Sequence, residues 1–507
     1  MKREVSLLIT LFHFILMVCG ILNHELWLDE AQHILIARDS NSLYQLIYNA
    51  RYEGHPLLWN FILYFLTGIS TDVLLVQIFH VLISSTCVFI ILRFSPFKFF
   101  INILICFGYY MLYEYSVISR NYSISLLFVL LILIQLSSQK RNYLLIFILL
   151  GLLLNTHILS AFIAFMFLPV LWNDLQKQNT RTKIYGFVIF TVCIAFCAVH
   201  IIPPADHFMH AYNKDALMSL KRVWKCFDAF ILGFFPIPDL SSSNFWNNSF
   251  ILNHCHMLSP VLALSILLFS FPVLARNKTS FLFFYGCVIL TLAFVYFTPL
   301  RVATRHCGFL AISLFAALWL TRTLKQRLLL KKDFKLLVLL EKAGKPCIAF
   351  ILVLQLFSGI FYYFMDLCLP FSASKKTAHY INNSLNKNEV LAITHFASGP
   401  ALSVYTNRSF FYLEPNRNGS FCEWNTNPIL ISDSVILERL VILLEKHKTM
   451  VLICNTEDIA GKIMTQNWQS KRIEGLSLKP IETQDNSIIK SERYFFYKVT
   501  CLKKTAD

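Results

Sequence analysis

The chain has 507 residues, 56% of them hydrophobic and only 15% charged, where a soluble protein carries roughly a quarter. With a mean hydropathy of +0.57, that composition excludes a soluble globular protein. The formal net charge of +16 does not signal nucleic acid, because basic and acidic loops alternate along an apolar chain.

Hydropathy predicts a mainly α, polytopic membrane protein with about eleven transmembrane helices. They fall at 6–22, 73–92, 99–113, 122–136, 143–155, 158–172, 184–202, 258–275, 281–300, 308–320 and 347–369. Met1-Lys2-Arg3 before the first apolar run imitates a signal peptide. The flank Leu22-Asn23-His24-Glu25 lacks a small-residue cleavage site, so an uncleaved first span is expected. Fourteen cysteines are scattered and form no Cys-x-x-Cys pair, which signals neither a metal knuckle nor a redox motif.

Charge then sets the orientation. With the N-terminus in the cytoplasm, the inside segments collect nineteen basic residues against four acids, and the outside segments nine against twelve. Residues 1–370 are thus expected to form a transmembrane domain with a first outer loop at 23–71 and a second at 203–257. The stretch from His55 to Gly68 would invert every later loop if it spanned. It reads instead as a helix on the outer interface, with Pro56 in its first turn and Trp59 at headgroup depth. The second loop, with Lys221-Arg222-Val223-Trp224-Lys225, also reads as interfacial.

Beyond Pro370 the composition turns mixed, with 17 Lys/Arg against 13 Asp/Glu in 371–507. Strand-like runs at 390–394, 410–413, 450–454 and 494–499 alternate with helix-like runs at 432–446 and 459–468, which predicts a small exported α/β domain. Cys422, Cys454 and Cys501 lie there, and export would permit a disulfide between two of them.

Four clusters reach the outer edge: Trp27/Asp29/Glu30, Glu53-Gly54-His55-Pro56, Glu114-Tyr115 with Arg120-Asn121-Tyr122, and Arg301 with Arg305-His306. Each has a plain alternative. The paired acids fit a solvated loop, His55 an ordinary interface position, and the arginines snorkelling to lipid phosphate. Arg301 and Arg305, however, run against the positive-inside bias. The pairs His207/His210 and His254/His256 are weak metal signals. Together the clusters contain a carboxylate able to take a proton from a hydroxyl and guanidinium groups suited to a phosphate leaving group.

Leu26-Trp27-Leu28-Asp29-Glu30-Ala31, followed by Gly54-His55-Pro56-Leu57, resembles the first outer loop of the glycosyltransferase C superfamily. The branch it resembles holds protein O-mannosyltransferases and bacterial lipid A aminoarabinose transferases. The resemblance implies a GT-C-like fold and inverting transfer from a polyprenyl-phosphate sugar to a lipid, glycan or protein acceptor within membrane lipids. On that reading Asp29 is the catalytic base, with Glu30 orienting the acceptor or binding sugar. Arg120, Arg301 and Arg305 hold the donor phosphate. Trp27, Glu53, His55, Glu114, Tyr115, Asn121, Tyr122 and His306 line the substrate pocket. Family members differ in metal use, so a divalent metal stays open, although no ligand set stands out. The usual His-Pro-Pro-Leu is here His55-Pro56-Leu57-Leu58, and the tail does not resemble a β-trefoil. Both departures favour a bacterial enzyme of the inner membrane acting on a lipid or polysaccharide. The rival readings are a transporter or flippase of a lipid-linked sugar and a protein O-glycosyltransferase.

Overall fold

The computed structural model describes residues 2–211, 219–242, 244–298, 303–324, 335–406, 408–425, 431–456, 469–470, 473–474 and 476–501. The chain begins with α1 (Arg3–Asn23), followed by α2 (Leu28–Arg38), α3 (Leu43–Asn49) and α4 (Leu58–Ile69). Next come α5 (Val73–Phe94), α6 (Phe99–Cys106), a π-helical turn (Tyr110–Glu114), α7 (Tyr122–Ser137) and α8 (Tyr143–Leu154). Then follow α9 (Ile158–Leu175), α10 (Thr180–Ile201), α11 (Leu220–Phe234) and α12 (Phe250–His254). The membrane part closes with α13 (Ser259–Leu274), α14 (Lys278–Phe297), α15 (Thr304–Thr323) and α16 (Lys335–Cys368). Eight described helices are long and apolar enough to cross a membrane. Of the other expected spans, α7 and α8 are shorter apolar helices, and the run at 99–113 divides into α6 and the π turn.

Polar caps punctuate these apolar runs. Asp72 accepts a hydrogen bond from the Leu74 amide at the start of α5, Asn179 from Thr182 before α10, and Asn277 from Thr279 before α14. The outward faces carry the apolar residues, as lipid contact requires. In α1, Leu8, Leu11 and Phe12 are exposed, while Ser6, His13 and Gly20 turn inward. In α10, Phe187 and Val199 are exposed.

The segment 203–257, expected to be an interfacial outer loop, does not lie wholly at an interface among its described residues. Its helix α11 packs among α13, α14 and α15, and Ala229–Phe234 are buried while Leu220 is exposed. The basic residues noted in the sequence occupy only its first turns. Their charge concealed the apolar half that inserts between helices.

The tail adds α17 (Ser374–Ser384), β1 (Leu391–Ile393), α18 (Gly399–Ser403), β2 (Phe410–Tyr412), β3 (Arg417–Gly419) and α19 (Asp433–His447). It ends with β4 (Thr449–Cys454), β5 (Gln469–Ser470), β6 (Ile473–Glu474), β7 (Leu476–Gln484) and β8 (Tyr494–Cys501). Six strands form one mixed sheet in the order β3-β2-β1-β4-β8-β7, with β1 parallel to β2 and β4. On one face Leu440 and Leu444 of α19 pack with Leu452 and Val499. On the other, Ile381 and Leu402 pack with Ile393, Phe410 and Phe496. Cys422 and Cys454 are buried free thiols, and the helix-like run at 459–468 lies outside the described residues.

The tail also grips the segment between α1 and α5. The Leu26 amide donates to the Tyr405 hydroxyl at 2.8 Å and the Leu28 amide to Glu492 Oε1 at 2.7 Å. Gln32 bonds both backbone groups of Cys422, each at 2.8 Å. Helix α2, which carries Asp29, is therefore held by the tail as well as by the helical bundle.

Candidate active site

Helix α2 starts where the sequence supplies acids for an unsatisfied N-terminus. Glu30, in its first turn, reaches back to accept from the Trp27 amide at 3.3 Å. The same carboxylate accepts from the Ser119 amide at 2.5 Å and contacts His24 Nε2 at 3.0 Å, and Glu30 is 1% exposed. His24 bridges on to Asp366 at 2.8 Å. Burial works against charge on His24, but Asp366 and Glu30 outweigh it and raise its pKa well above the ordinary value. Both oxygens of Glu30 are thus occupied by the protein. These contacts cap α2 and brace it against His24 and Ser119.

Asp29 faces elsewhere, since neighbouring residues on a helix point about 100° apart. Its Oδ2 accepts from Arg305 Nη2 at 3.0 Å, and a quarter of the side chain is exposed. Oδ1 makes no hydrogen bond among the described residues. Arg120, 3% exposed, donates Nη1 to the Asp29 carbonyl, and its Nε is buried without a partner among the described residues. Arg305 lies over the faces of Trp27 and Trp246, 4.9 and 5.6 Å from the ring centres. The two indoles meet edge to face at 4.8 Å. Stacking and the ion pair fix the guanidinium plane in a way a lysine could not reproduce.

A row of rings continues the wall. His33 and His55 lie 6.0 Å apart, His55 and His157 5.1 Å, and His157 and His306 5.5 Å. Tyr122 stacks on Tyr115 at 5.2 Å and stands 6.2 Å from His306. Burial first, and Arg120 next, push His55 down to about 3. Burial likewise holds His33 well below the ordinary range. Both imidazoles are neutral hydrogen-bonding groups. His55 Nδ1, His157 Nε2, Asn121 Oδ1 and Trp27 Nε1 are buried polar atoms without hydrogen-bond partners among the described residues. Glu53, its side chain 6% exposed, accepts from Gln32 at 2.7 Å, and burial pushes its pKa up to about 7.

Most of the candidate residues therefore meet in one place. Trp27, Asp29, Glu53, His55, Arg120, Asn121, Tyr122, Arg305 and His306 surround it. Glu114 and Tyr115 form the layer behind. Glu114 accepts from Tyr109 at 2.5 Å and Trp246 at 3.1 Å, and Tyr115 donates to the Arg305 carbonyl at 2.7 Å. Arg301 lies outside the described residues. Trp246 and His157 were not foreseen. A tryptophan in a long loop and a histidine capping α9 carry no local signal of a shared site.

An apolar cavity of about 120 Å³ lies between helices, lined by Tyr110, Ile91, Phe97, Ala311 and Gln355 among others and by Tyr115, whose hydroxyl bonds the Arg305 carbonyl. Among the described residues no three His, Cys, Asp or Glu side chains are grouped to hold a metal ion. His254 and His256 instead contact Asp239 and Asp228, and His207 bonds the Tyr52 carbonyl.

The architecture is that of a multi-pass helical membrane protein with a small C-terminal sheet domain, the fold also of ArnT. No family model matches the chain, and no curated protein sequence matches it. Among solved structures it is similar to ArnT from Cupriavidus metallidurans bound to undecaprenyl phosphate. The TM-score is 0.50 at 9% identity, covering 98% of this chain and 97% of that one. ArnT of the same organism in the apo state gives a TM-score of 0.47 at 10% identity, covering 98% of each chain.

Proposed function

We propose that the chain is an inverting glycosyltransferase that moves a sugar from a polyprenyl-phosphate donor to a lipid or polysaccharide acceptor. The observation that carries this reading is the meeting of Asp29 with Arg305 and Arg120, from three distant parts of the sequence, beside an apolar cavity. A solved structure of the same fold holding undecaprenyl phosphate supports the donor class.

In this mechanism Asp29 takes the proton of an acceptor hydroxyl. That oxygen bonds to the anomeric carbon from the face opposite the phosphate, and the carbon–oxygen bond to phosphate breaks with its electrons. Arg305 and Arg120 balance the charge left on the phosphate. The unpartnered histidine, asparagine and tryptophan atoms offer hydrogen bonds to sugar hydroxyls, and the apolar cavity offers contact to the first prenyl units. The positive-inside distribution supports a cytoplasmic N-terminus and a site facing the periplasm or exterior, with residues 371–507 as a soluble domain on that side. Transport is less well supported, because the charges gather at one membrane edge and no repeated halves are apparent.

The test is transfer of label from a radiolabelled polyprenyl-phosphate sugar to membrane glycolipid or polysaccharide by purified protein in detergent. Asp29→Asn keeps an oxygen for Arg305 but loses the base, and the rate should fall by about 10²–10⁴-fold. Transfer at the wild-type rate in that variant would remove Asp29 from the reaction.

A further inference from the structure

The donor chemistry makes no use of the seam where the far end of α2 meets the tail. Ten residues separate Asp29 from Asp39, which at 1.5 Å per helical residue is about 15 Å. At that far end Arg38 Nε donates to Asp39 Oδ1 at 2.7 Å, and Ser420 donates its hydroxyl to the same carboxylate. A polar cavity of about 630 Å³ opens there, lined by Arg38, Asp39, Thr71, Tyr405, Arg408 and Ser420 among others. That is well within the roughly 300–1,000 Å³ of small-molecule sites. It adjoins a second cavity of about 540 Å³ lined by Lys387, Glu389 and Lys446, and Arg408, Ser409 and Asn418 border both.

The charges of this trough do not cancel. Asp39 is taken by Arg38 and Ser420, and Glu389 is taken by Lys498. Arg408, Lys387 and Lys446 are left, and neither lysine has an ion-pair partner among the described residues. Arg408 gives Nη2 to the Glu389 carbonyl, while its Nη1 is buried with no hydrogen-bond partner among the described residues. A guanidinium that borders both cavities, with Lys387 and Lys446 lining one of them, suits a phosphate or carboxylate. The bordering Ser409 hydroxyl and Asn418 amide can hydrogen-bond sugar hydroxyls.

We propose that this trough docks an anionic glycan, a sugar chain bearing phosphate or carboxylate groups, as the outer part of the acceptor. Its role as acceptor site rests on the transferase reading; the charge and shape of the trough do not. Calorimetric titration of the full chain in detergent with trigalacturonic acid, glucose 6-phosphate and neutral maltotriose tests it. At least one anion should bind about tenfold more tightly than maltotriose and weaken with salt. Arg408→Ala should weaken that binding about tenfold, the loss of one charge-assisted hydrogen bond. The double variant Lys387→Ala/Lys446→Ala should do the same, and its exposed positions keep the test valid should Arg408→Ala fail to fold. Whichever anion binds more tightly identifies the charged group. Equal binding of maltotriose, no binding of either anion, or anion binding indifferent to the variants would overturn the proposal. Titration needs neither donor nor turnover. A chain that binds these probes but transfers nothing would refute only the transferase reading, and an active chain that ignores them would refute only this one.

Discussion

Glu53 offers a test that needs no substrate. Its carboxyl is buried beside Gln32, 3.6 Å from His33 Nε2. Burial raises its pKa from 4.5 to about 7 in the folded chain. His33 is neutral, so the contact is not an ion pair. Between pH 4.5 and 7 the folded chain binds the proton that the unfolded chain has released, so stability falls as pH rises through that window. Two and a half pH units at 1.36 kcal/mol each give about 3 kcal/mol of destabilisation above pH 7, an order-of-magnitude figure. Glu53→Gln should remove it, since the neutral amide carries no charge to desolvate. The new Oε1 can still accept from Gln32. His33 directs Nδ1 at Asn60 Oδ1, 3.1 Å away, which leaves Nε2 free to accept from the new amide. Thermal unfolding in detergent should therefore place the variant above wild type at pH 8 and level with it near pH 4.5. A variant less stable than wild type at pH 8, or the same difference at both pH values, would refute the reasoning.

Two further substitutions test how the site is held. Gln32→Ala loses its bonds to Glu53 and to both backbone groups of Cys422. It should cost about 2–3 kcal/mol, and maleimide should then label Cys422, now 2% exposed, faster than in wild type. Gly308→Ala places a methyl carbon 2.2 Å from the Tyr115 hydroxyl and 2.4 Å from the Tyr110 ring. Both rings line the apolar cavity, so melting should fall by the equivalent of about 1–3 kcal/mol and transfer should drop with it.

Much of the helical architecture was legible because lipid imposes long apolar runs. The predicted run at 6–22 became Arg3–Asn23 and that at 73–92 became Val73–Phe94. What the sequence does not show depends on distant partners. Asp29 and Glu30 look like one device in sequence, yet the turn of the helix sends one toward Arg305 and the other toward His24 and Ser119. The spacing of Glu30 after Trp27, that of a helix cap, was the available signal. Strand β7 went unread because Pro480 interrupts it, and the register does shift between Pro480 and Glu482 on this edge strand. The buried half of α11 was hidden behind its basic first turns. Trp246 and His157 reach the site only through tertiary packing.

Equilibrium binding of undecaprenyl phosphate, compared with the phosphate-free polyprenol, tests most directly whether Arg305 and Arg120 serve one lipid-phosphate headgroup. The phosphate form should bind the purified chain more tightly than the alcohol. Arg305→Ala and Arg120→Ala should each weaken it about tenfold or more while leaving binding of the alcohol unaltered. Equal affinity for the two lipids, or phosphate binding that survives both substitutions, would contradict the account.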